Sequence, residues 1–111
     1  MERHDELLDI LGRNFGLQKF NSHVDSESEF FKQLQLILSE RITFLINSDM
    51  DRLLHLLYKI DVNQVACDQA FQLGEIHKIS MKLAELIINR QLQKIDYARE
   101  FYRKNNNENK S

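Results

Sequence analysis

The stretch HLLYKIDV, His55 to Val62, admits two readings that lead to different fold classes. From Tyr58 onward it alternates apolar and charged residues, as a half-buried strand does, while the chain on both sides carries apolar residues at intervals of three and four. If Asp61 is an N-cap, Gln64 falls at the third helical position and completes a capping box, and Ile60 and Val65 take the two places of a hydrophobic staple. A lone short strand, with no second strand to receive its backbone N–H and C=O groups, would leave them unpaired. The alternation therefore predicts a tight corner between two helices, and an all-α fold.

The rest of the chain agrees. It has no proline and only three glycines, so the punctuation that turn-rich β proteins need is missing. Upstream of the corner, Met50, Leu53, Leu54, Leu57 and Tyr58 form one helical face, and Ser48 with Asp51 repeats the capping pattern at its start. Further upstream, Ser26 and Glu29 form a capping box ahead of a strong helix. Its stripe runs through Phe30, Leu34, Ile37, Leu38, Ile42 and Leu45, widened by Phe31, Phe44 and Ile46. Glu2 to Phe15 predicts a first helix, carrying Leu7, Leu8, Ile10, Leu11 and Phe15 and ended by Gly16 in a left-handed conformation; Gly12 weakens its interior. Leu17 to Asp25 reads as a loop, so residues 1–25 form a helix and loop at the edge of the domain.

Downstream of the corner, Val62, Val65, Ala66, Ala70 and Leu73 line a fourth helix, which Gly74 ends. From Glu75 to Lys104 no breaker occurs, so the longest element spans roughly 45 Å at 1.5 Å per residue. Its first half is apolar nearly all round and predicts a central helix touched on several sides. The tail NNNENKS has nothing apolar to bury and is expected to be disordered over 105–111, leaving one helical domain over 1–104 as a four- or five-helix bundle.

Composition narrows the function classes. Apolar residues are 42% and charged residues 29%, ordinary for a globular domain, and no apolar run is long enough to span a bilayer. The opening MERHDELLD lacks the apolar core of a secretory signal, and the single cysteine, Cys67, reads as a small buried apolar residue in a reducing, cytoplasmic setting. A net charge of −2 argues against a general nucleic-acid binder. The charge is uneven, however: residues 1–30 hold seven acids against three Lys/Arg, and residues 75–104 hold seven Lys/Arg against four acids, so the two ends can attract each other.

No catalytic set, cofactor site or metal site emerges from the residues. The histidines at 4, 23, 55 and 77 do not pair at ligand spacing, and Asp51 with His55, one turn apart, reads as a surface pair. Gly12, Gly16 and Gly74 do not form a phosphate-binding cluster, and no basic residue lies within a turn of Cys67 to activate it. A helix-turn-helix built on the corner would present VNQVACDQAFQL, Val62 to Leu73, to DNA; that segment holds an aspartate and no Lys or Arg. The basic residues Arg90, Lys94, Arg99, Arg103 and Lys104 of the last helix leave a DNA-associated regulator as the alternative function.

The narrowed stripe Ile88, Leu92, Ile95, Ala98 and Tyr102, with Phe101 beside it, is the candidate interface. It packs either on the first helix or on a second subunit, because the second helix, at roughly 31 Å, is too short to cover the whole of the last one. The sequence reading is thus a non-enzymatic, cytoplasmic protein–protein interaction module, homodimeric through this stripe and without a membrane segment. The segments RITFLINSDMDRLLHLLYKIDVNQVACDQAF and LAELIINRQLQKI resemble a group of short, uncharacterised bacterial helical proteins in which LLYKIDV and LIINRQL recur. The resemblance covers about residues 36–97 and implies no activity or site.

Overall fold

The structure, a computed structural model, describes residues 2–17 and 26–108. Most of the expected loop, and the last three residues of the tail, lie outside the described residues. Five helices follow one another: α1 (Arg3–Phe15), α2 (Glu27–Ser48), α3 (Met50–Ile60), α4 (Gln64–Phe71) and α5 (Ile76–Glu108). No strand occurs among the described residues, so the all-α reading holds. The last helix is central, packing against each of the other four.

The corner at HLLYKIDV is helical on both sides but built by other means than the sequence suggests. Asp61 is not an N-cap. It follows α3 in the left-handed region, φ 64° and ψ 48°, where it serves as the helix's C-terminal cap. The Asp61 N–H returns to the Tyr58 carbonyl at 3.0 Å and the Val62 N–H to the Leu57 carbonyl at 3.2 Å, the paired bonds of a Schellman motif. Asn63 caps α4, its Oδ1 accepting the Ala66 N–H at 2.9 Å. Gln64 therefore opens the helix rather than closing a capping box, and Val65, left exposed, makes no staple with the buried Ile60.

Two other boundaries shift for similar reasons. Asp49, not Ser48, caps α3 by accepting the Arg52 N–H at 3.1 Å, while the Ser48 hydroxyl donates back to the Phe44 carbonyl at 2.6 Å. Gly74, φ 83°, lies in the turn after α4, which ends at Phe71 with Gln72 as its C-cap. The expected caps at Ser26 and Gly16 are present: Ser26 Oγ accepts the Glu29 N–H, and Gly16 is left-handed at φ 70°. The last helix continues to Glu108, so residues 105–108, expected to be without structure, are helical.

The core is shared by all five helices. Leu7, Leu11 and Phe15 of α1 are buried, which makes the first helix part of the core and not an edge element. Phe30, Leu34, Leu38, Ile42 and Leu45 of α2 meet Leu83, Ala84, Ile87 and Ile88 of α5 in the same cluster. Each fully buried leucine or isoleucine contributes about 1.5–3 kcal/mol relative to an exposed one, so this seam dominates the stability. Where polar groups enter it they are matched: Thr43 Oγ1 donates to Ser80 Oγ at 2.7 Å, and Gln35 Nε2 to the Met81 carbonyl at 3.0 Å. Among the described residues no buried side-chain polar atom lacks a partner.

Candidate functional site

The candidate stripe on α5 divides at Asp96. Ile88 and Ile95 are 4% and 3% exposed and belong to the core, and Leu92 is partly buried against it. Ala98 is exposed and Tyr102 is 69% exposed. The cause is α1, which lies along this part of α5 and is clamped there by two ion pairs. Arg3 makes a bidentate contact with Asp96, both N···O distances 2.8 Å, and Arg99 reaches Glu6 at 2.8 Å. The second of these joins the acidic N-terminal segment to the basic last helix, as the charge distribution suggests. Arg3 also lies 3.5 Å from Glu27, tying the start of α2 into the clamp. The Asp96 carboxyl is held below the usual carboxylate range, chiefly by the hydrogen bond from Arg3.

Beyond the clamp, α5 projects with its aromatic residues open. Tyr97 is 78% and Phe101 55% exposed, and the Phe101 and Tyr102 rings meet edge to face at 6.2 Å. The stripe drawn from the sequence omits Tyr97 and leaves Phe101 to one side. A spacing that includes both is legible in the chain: Arg90, Lys94, Tyr97, Phe101 and Lys104 recur at intervals of four and three, one face of a helix.

A second open feature lies between α3 and α4. The left-handed turn at Asp61 splays the two helices around a groove of about 630 Å³, bordered by Leu54, Tyr58, Val62, Cys67, Asp68 and Phe71. Tyr58 is 84% exposed, although the sequence places it on the buried face with Met50 and Leu54, which are also open. The face that α3 buries is Leu53, Leu56, Leu57 and Ile60. Cys67 is buried, as expected, and desolvation, reinforced by the neighbouring Asp68 charge, pushes its thiol above the ordinary range. Arg90 of α5 braces the corner, its Nε donating to the Asp61 carbonyl at 3.0 Å and its Nη2 to Asp61 Oδ2 at 3.2 Å. The groove's lining carries Asp61 and Asp68 and no lysine or arginine.

The described histidines, His4, His55 and His77, do not gather with other ligating side chains, and His23 lies outside the described residues. Asp51 and His55 are exposed on α3 without a hydrogen bond to each other. His4 stacks on Phe30, with centroids 4.3 Å apart and planes 7° from parallel, and meets Phe31 edge-on at 5.3 Å. Its Nε2 lies 3.4 Å from Glu27 Oε1, so it seats the start of α1 on α2, a role for which the sequence offers no sign. Among the described residues no three His, Cys, Asp or Glu side chains gather as a metal site. No described helix is long and apolar enough to cross a membrane. No protein-family model, curated protein or solved structure matches the chain.

Proposed function

We propose that this chain is a non-enzymatic, cytoplasmic helical module that works by protein–protein contact and forms a homodimer through the C-terminal part of α5. The observation that carries this reading is the part of α5 after Asp96, where Tyr97, Phe101 and Tyr102 stand open on a helix whose preceding stripe is covered by the chain itself. Aromatic side chains supply large contact area at low conformational cost and are enriched at interfaces. Of the candidate interface, Ala98 and Tyr102 are available to a partner, together with Tyr97 and Phe101; Ile88 and Ile95 already serve the monomer's core. The DNA-associated alternative is less well supported, because Arg90, Arg99 and Arg103 each hold an acid of the same chain: Asp61, Glu6 and Glu100.

Size-exclusion chromatography with light scattering at micromolar concentration tests the proposal. The expected mass is about twice the 13.2 kDa of one chain, and Phe101→Asp is expected to halve it while leaving the helical circular dichroism unchanged. A wild-type chain that remains monomeric up to roughly 100 μM, a concentration at which contacts worth more than about 5.5 kcal/mol are populated, overturns it. Polarisation binding to DNA at low salt, where counterion release most favours association, distinguishes the alternative.

A further inference from the structure

We draw no further inference here: the strongest candidate, the groove of about 630 Å³ between α3 and α4 with the open Leu54 and Tyr58 at its border, is an unpartnered apolar face, and nothing in the structure shows what covers it.

Discussion

At Asp61 the chain turns from α3 to α4 on a left-handed backbone, the one positive φ among the described residues other than glycine. A non-glycine residue there costs roughly 1–2 kcal/mol, a cost that aspartate and asparagine lessen through local hydrogen bonding. The Arg90 bond to the Asp61 carboxylate is exposed and contributes at most about 1 kcal/mol, and the Arg90 bond to the backbone carbonyl survives any substitution. Backbone strain therefore outweighs the ion pair. Asp61→Gly is expected to match or exceed wild-type stability in urea, and Asp61→Ala to lose about 1 kcal/mol. A glycine variant as unstable as the alanine one would show that the carboxylate dominates.

Asp96 gives a second residue-scale prediction, this one in pH. Its pKa in the folded chain is depressed, first by the hydrogen bond from Arg3 and then by the charges of Arg3 and Arg99, partly opposed by desolvation. A depressed carboxylate contributes stability that is complete above the unfolded pKa of about 3.9 and is lost as pH falls through the lower folded value. The urea midpoint of the wild type should thus fall more steeply below about pH 4 than that of Asp96→Asn. Parallel curves would mean that the Arg3 bidentate contact carries no net stability.

Among the elements, α1 shows how packing reassigns a surface that sequence leaves open. Its burial of Leu7, Leu11 and Phe15, with the clamps to Asp96 and Glu6, turns Ile95 into a core residue. Ile95→Asp is therefore expected to cost more than about 3 kcal/mol by burying an unpaired charge, and it reports on folding rather than on association. Phe101→Asp, on the open projection, should change stability by less than about 0.5 kcal/mol at concentrations where the chain is monomeric. Gly12 marks a different compromise. A Cβ there would meet the Leu17 carbonyl at 3.4 Å, an ordinary contact, so Gly12→Ala should gain roughly 0.5–1 kcal/mol of helix stability, read as a higher thermal midpoint. A lower midpoint would indicate that the chain after Gly16 needs the space.

For the molecule as a whole, the proposed self-association would couple stability to concentration. Only the folded chain presents the open aromatic face of α5 in one fixed place, so on that proposal the thermal midpoint is expected to rise between roughly 1 and 100 μM protein, and to stop rising in Phe101→Asp. The molecule's 55 Å longest extent is close to the length of α5 alone, which at 33 residues spans roughly 50 Å. That mismatch with the shorter helices around it is what leaves an end uncovered.

The helices themselves were readable in the chain because what defines them is local. Apolar spacing, the Ser26 cap, the Gly16 stop and the absence of proline all act within a turn or two of the backbone. The α3 face was not readable in the same way. Met50, Leu54 and Tyr58 form one apolar row and Leu53, Leu56, Leu57 and Ile60 another, and periodicity alone does not say which meets a neighbour. Nor does local pattern specify that Arg3 finds Asp96 across 93 positions, or that Ile88 and Ile95 are buried while Tyr97 and Phe101 stay bare. Sequence by itself determined an all-helical chain with a long final helix. Tertiary structure decided which apolar rows were buried and so which surfaces remain for a partner, because burial depends on segments far apart in the chain arriving together.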